Sequence, residues 1–167
     1  MNATRLVKKS TSPALDVLGP TIEFLSSPTE GAAYCVMRGT IPPGVCVPLH
    51  SHRDPESFLV LSGSVQVLAE RDNGLQWLDA VEGDFIEIPG GARHAFRNTS
   101  GEPVVQLITT TSLLGRFFQE IGRSITSVPL PPPTPDDLER FARITTRYGY
   151  WLGSPEENAA AGITLPG

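Results

Sequence analysis

Turn-forming residues break the middle of this chain at short, regular intervals, and that spacing restricts its fold more than any other feature. Between Ala32 and Thr111 stand Pro42-Pro43-Gly44, Ser62-Gly63, Asp72-Asn73-Gly74, Glu82-Gly83, Pro89-Gly90-Gly91 and Ser100-Gly101-Glu102-Pro103. They separate short runs rich in β-branched and aromatic residues at 34–41, 57–61, 64–70, 75–80, 84–88, 95–98 and 104–110. Asn73-Gly74 is a strong hairpin signal because both residues tolerate φ > 0. Strands this short, repeated this often, predict an all-β sandwich or barrel rather than a helical bundle.

The flanks read differently. Residues 1–30 form a polar, proline-punctuated lead-in with a candidate edge strand at 21–25. The barrel is expected to span 31–111, and 112–167 to form a helical and proline-rich extension packed on it. Within the extension, Leu114, Phe117, Phe118 and Ile121 fall at helical spacing, with Ser112 as the expected N-cap and Gly122 as the stop. Residues 128–135 are proline-dense and should be extended. Thr134-Pro135-Asp136-Asp137 starts a second helix, with Leu138, Phe141, Ala142, Thr145 and Tyr148 as its apolar stripe and Gly149 as its end. The 167 residues, 40% of them hydrophobic, suit one folded unit.

Charge and cysteine usage exclude several classes. Lysine plus arginine number 13 against 18 acidic residues, for a net charge of −5, and only Lys8 and Lys9 are lysines, so no basic surface for nucleic acid is expected. No apolar run approaches the roughly 18–20 residues of a membrane span. Arg5, Lys8 and Lys9 are not followed by the apolar core of a secretory signal. The two cysteines, Cys35 and Cys46, make neither a disulfide framework nor a zinc motif. A reducing, cytoplasmic setting is the expectation.

Chemistry concentrates in three histidines. His50 and His52 are two apart, which on a strand turns both imidazoles to one face, and Glu56 keeps the same parity. His94 follows the Pro89-Gly90-Gly91 turn on a separate strand and can join them only if the sheet closes. Three neutral imidazoles and a carboxylate suit one divalent transition metal: Fe, Mn, Ni, Co, Cu or Zn. Phe58 and Phe96, two residues beyond Glu56 and His94, share their parity and are expected to line the same cavity, as is Cys46 by its parity with His50. Asn98 is expected to hold a turn, and Arg93 and Arg97 to face solvent.

The stretch Gly44-Val-Cys-Val-Pro-Leu-His50-Ser-His52-Arg-Asp-Pro-Glu56-Ser-Phe-Leu-Val-Leu-Ser-Gly63 resembles the first motif of the cupin superfamily, G(X)5HXH(X)3-4E(X)6G, at every fixed position. Gly83-Asp-Phe-Ile-Glu-Ile-Pro89-Gly-Gly91-Ala-Arg-His94-Ala-Phe-Arg-Asn98 resembles the second, G(X)5PXG(X)2H(X)3N, as completely. The resemblance implies a double-stranded β-helix, or jelly-roll barrel, with a divalent metal on His50, His52, Glu56 and His94. The tail, from Asp137-Leu-Glu-Arg-Phe-Ala-Arg to Gly153-Ser-Pro155, is similar to that of one-barrel bacterial cupins grouped with quercetin dioxygenase.

From the resemblance comes the expected activity: a metal-dependent dioxygenase acting on a small hydroxylated aromatic or enolisable substrate. Glu56 would serve both as ligand and as general base. The alternatives are a metal-dependent isomerase or decarboxylase that does not use O2, and a non-catalytic barrel that binds metal and ligand, since the fold hosts all three. The short lead-in disfavours a cupin transcription regulator. Family habit also implies a homodimer, for which 21–25 is the candidate contact strand.

Overall fold

The computed structural model describes residues 4, 6–8, 13–29, 32–125 and 131–164. Residues 128–130 of the proline-dense stretch therefore lie outside the described residues, and 131–134 have no regular structure. Among the described residues, twelve strands and three helices follow one another, and the strands form two antiparallel sheets. The first runs β11 (Arg123–Ser124), β1 (Ala14–Asp16), β2 (Thr21–Phe24), β3 (Cys35–Ile41), β10 (Val104–Thr110), β5 (Glu56–Ser62) and β8 (Phe85–Ile88). The second runs β12 (Trp151–Leu152), β4 (Cys46–Ser51), β9 (His94–Arg97), β6 (Ser64–Arg71) and β7 (Gly74–Val81). From β3 to β10 the chain passes back and forth between the sheets, which makes a jelly-roll barrel.

Alternation fills the barrel. On β3 the buried positions are Cys35, Met37, Gly39 and Ile41, every second residue, as a half-buried strand requires. Met37, Phe58, Val60, Val104 and Ile108 of the first sheet meet Val65, Val67 and Phe96 of the second. Each large side chain so buried contributes about 1.5–3 kcal/mol relative to exposure. A smaller cluster, Leu49, Leu68, Ala95 and Ile163, lies on the outer face of the second sheet under the C-terminal tail.

Strand 21–25 is not an edge. The lead-in supplies β1 as well, so β2 has β1 on one side and β3 on the other, and its main-chain groups are not free to recruit a second copy. Asp16 at the end of β1 is buried and accepts from Arg123 Nε at 2.8 Å, tying the lead-in to β11. Among the described residues no helix is long and apolar enough to cross a membrane.

Helix α1 (Ser112–Ile121) is capped by Thr111, not Ser112. Thr111 is the residue with extended backbone, and its hydroxyl accepts from the Leu114 amide, whereas Ser112 is already helical and donates to the Ala32 carbonyl at 2.7 Å. Helix α2 (Pro135–Tyr148) begins with the Thr134–Asp137 capping box and ends at Gly149, whose φ of 71° is the left-handed conformation glycine adopts cheaply. It packs on α1 through Phe141, Ile144 and Tyr148. That contact leaves Leu138 48% exposed and Ala142 exposed, so the real stripe is rotated from the expected one. Helix α3 (Pro155–Ala160) closes the tail.

Asn98 is only 1% exposed, and its amide donates to the carbonyls of Ile41 at 2.9 Å and Glu102 at 2.8 Å while its oxygen accepts from the Ser100 amide. Asn98→Ala strands those groups in a dry corner. It is expected to destabilise the fold by about 2–4 kcal/mol, read as a lower urea midpoint with an unchanged slope.

Candidate metal centre

The site is assembled by a bulge. Strands β4 and β9 pair Val47 with Phe96 and His50 with His94, so Pro48 and Leu49 together oppose the single residue Ala95. Proline tolerates this place because it has no amide to contribute to the ladder. The extra residue swaps the strand's faces: Val47 and His50 point into the barrel, while Leu49 joins the outer cluster. Leu49's amide bonds Asn158 Oδ1 at 2.9 Å. Glu56, at the start of β5, reaches in from the opposite sheet.

All three imidazoles converge. His50 and His94 have ring centroids 4.1 Å apart, His52 and His94 5.2 Å, and donor atoms of the three lie within 4.8 Å of one another. Each Nδ1 faces a main-chain carbonyl: Pro48 for His50 at 2.8 Å, Asp54 for His52 at 2.8 Å and Ala92 for His94 at 2.9 Å. A carbonyl can only accept, so each Nδ1 carries a proton and Nε2 is left facing the cavity, the arrangement that aims a ring nitrogen at a cation. Gly91 donates its amide to the His52 carbonyl at 2.7 Å, and a side chain at Gly90 would collide with the Arg53 carbonyl. Glycine is therefore required where the second turn passes over the ligand loop.

Glu56 Oε2 stands 3.2 Å from His52 Nε2 and 3.5 Å from His94 Nε2, with the carboxylate only 4% exposed. Burial opposes its charge, but the His52 and His94 rings beside it outweigh burial and hold the carboxyl down at about 2. Burial, with His94 and His52 alongside, pushes His50 down to about 3. Burial acts the same way on His52, yet its bond to Glu56 lifts the ring above its ordinary value. His94 is 1% exposed, and its Nε2 has no hydrogen-bond partner. A buried polar nitrogen with nothing to bond, beside two further inward nitrogens and an anion, fits a divalent transition ion.

The structure thus brings His50, His52, Glu56 and His94 together. Phe58 and Phe96 stack behind them, 4.8 Å between centroids, with Phe96 edge-on to His94 at 6.1 Å. Cys46 does not line the barrel: counted across the bulge, its parity with His50 inverts, and it packs outward against Leu49, Leu68 and Ala95. Arg93 is exposed and pairs with Glu70, whereas Arg97 is half-buried over the Trp77 ring at 3.9 Å. Sequence spacing gave no sign of two further neighbours. Asp54, 4% exposed, and Tyr150, whose ring lies 5.4 Å from His52, meet across 96 positions of the chain. Only the docking of the tail brings Tyr150 here.

The family model described as Cupin domain matches residues 37–110. These residues are a cupin domain. Quercetin 2,3-dioxygenase from Bacillus subtilis (strain 168) is 28% identical over 102 residues, 59% of this chain, and the chain spans 29% of the length of that curated relative. Among solved structures, the polyketide cyclase RemF from Streptomyces resistomycificus aligns with a TM-score of 0.58 at 19% identity, over 85% of this chain and 99% of that one. A sugar phosphate isomerase of the cupin superfamily from Silicibacter pomeroyi gives 0.54 at 17% identity, over 64% and 75%. Bacillus subtilis oxalate decarboxylase gives 0.51 at 21%, over 60% and 27%. These likenesses establish the fold, and the three-histidine cluster within it marks a metal-dependent cupin.

Two outcomes follow from the geometry. His94→Ala is expected to lose most of the divalent metal that the parent protein retains, by elemental analysis; equal content in both would remove the site. In metal-free protein, stability should fall on acidification, because the unfolded chain takes up the protons that the folded site refuses. His50 accounts for the loss from its ordinary value of 6.5 towards about 3, and Glu56 for that from 4.5 towards about 2. The raised His52 acts on the alkaline side, its stabilisation fading above pH 6.5. Thermal midpoints of the parent and His50→Gln between pH 7 and 5 test this, the variant showing the flatter profile.

Proposed function

We propose that this cupin is a metal-dependent dioxygenase acting on a small hydroxylated aromatic or enolisable substrate, with His50, His52, His94 and Glu56 holding the metal. A divalent transition ion there supplies Lewis-acid and redox chemistry to a substrate oxygen and to O2. The observation that carries the reading is Glu56, a nearly dry carboxylate kept anionic by two imidazoles.

Glu56 is placed to do two things. It is the fourth donor of the set, and turned towards substrate it accepts the proton of a hydroxyl group. Phe58 and Phe96 exclude water behind the histidines and present apolar surface to a flat ring. In such surroundings the charge on Glu56 acts more strongly than in water. The similarity to quercetin 2,3-dioxygenase supports the same reaction class.

Oxygen uptake by protein reconstituted with Fe, Mn, Co, Ni or Cu, given flavonols, catechols and β-diketones, is the test. One O2 consumed per substrate is expected with at least one combination. Glu56→Gln is expected to lower kcat by about 100- to 10,000-fold while the three histidines still retain metal. Absence of uptake with every combination would overturn the oxygenase in favour of isomerisation, decarboxylation or simple binding.

A further inference from the structure

The turn between His52 and Glu56 is fastened from outside the barrel. Thr110 Oγ1 donates to the Pro55 carbonyl at 2.8 Å, and Thr111, the cap of α1, donates its hydroxyl to Asp54 Oδ1. The Tyr150 hydroxyl donates to Asp54 Oδ2 at 2.7 Å. Burial, and then this bond, hold the Tyr150 hydroxyl above its ordinary value, so it keeps the proton it donates. On its main-chain side the same Asp54 offers the carbonyl that receives His52 Nδ1 at 2.8 Å. One residue therefore links the tail to a ring of the metal centre.

Tyr150 is itself fixed. It follows the Gly149 cap of α2, its amide bonds the Thr145 carbonyl at 3.1 Å, and its ring packs on Phe117 of α1 at 5.0 Å. The next two residues, β12, pair with Ser51 and His50. Helices α1 and α2 thus converge on the ligand loop.

We propose that Asp54, gripped by the Tyr150 and Thr111 hydroxyls, is a positioning residue for His52, so that docking of the C-terminal extension sets the metal affinity of the barrel. This rests on the metal-centre reading and adds to it a part of the chain beyond the cupin motifs. A buried carboxylate must keep its donors. Removing the Tyr150 hydroxyl leaves Oδ2 without one, the turn relaxes, and the carbonyl that aligns His52 moves with it. Partners one shell out from a metal commonly tune its binding by about 10- to 100-fold.

Co2+ binding to the full chain, by competition with a chromogenic chelator, tests the proposal. Tyr150→Phe and Asp54→Ala are expected to weaken it by about 10-fold or more, with Asp54→Asn, which keeps groups able to bond both hydroxyls, within about 3-fold of the parent. Tyr148→Phe removes a hydroxyl bond to Glu120 from the same helix pair and should leave the affinity unchanged. In the metal-free protein, the His52 Nδ1 proton should exchange faster in Tyr150→Phe than in the parent, by nuclear magnetic resonance. Unchanged affinity in Tyr150→Phe, an equal fall in Tyr148→Phe, or unaltered proton exchange would each overturn the proposal. A parent that takes up no Co2+ defeats the metal-centre reading, and the positioning of His52 is then decided by the exchange rates alone.

Discussion

Pro48 and Leu49 share the place opposite Ala95, and that one-residue offset governs what the barrel contains. Without it, His50 would face outward with Cys46, and the inward partner of His94 would be the aliphatic Leu49. The offset also leaves the Pro48 carbonyl free to hold the His50 ring it has just turned inward. A bulge interrupts the ladder and strands an amide, which here is recovered by Asn158 from the far end of the chain. Local irregularity and distant tail are parts of one arrangement.

Inside the barrel the difficulty is electrostatic. Burial disfavours charge, yet Glu56, His52 and His94 meet inside the barrel with the half-buried His50 beside them. Main-chain carbonyls settle the orientation of the rings, since each accepts a hydrogen bond from Nδ1 and turns the other nitrogen towards the centre. The Glu56 anion compensates part of the remainder through His52. What is left over is the unpaired nitrogen of His94. A cation satisfies it where no protein group does.

Much of this was legible because strands encode facing by parity and turns by glycine. His52 and Glu56 flank the turn at 53–55 and His94 follows the turn at 89–91, whereas His50 faces inward only because of the bulge before it. Phe58 and Phe96 follow the same count from their own histidine or glutamate, with no irregularity between. Cys46 defeats the count because a bulge leaves no mark in sequence except Pro48, and a proline alone does not say which way the chain shifts. Thr111 and Ser112 are both good caps, so only the backbone at the end of β10 decides between them. The exposure of Leu138 and the approach of Tyr150 to Asp54 depend on how helices dock, which local pattern does not record.

The short strand β12 has a further effect. By lying along β4, Trp151 and Leu152 occupy the outer flank of the ligand-bearing strand, and at that level foreign chains find β12 in their way. The opposite flank of the same sheet, β7, is separated from the His94 strand by β6. A contact made along β7 would leave β6 between the partner and the strand that carries His94, so the edge of the sheet and the histidine cluster are kept apart by one strand.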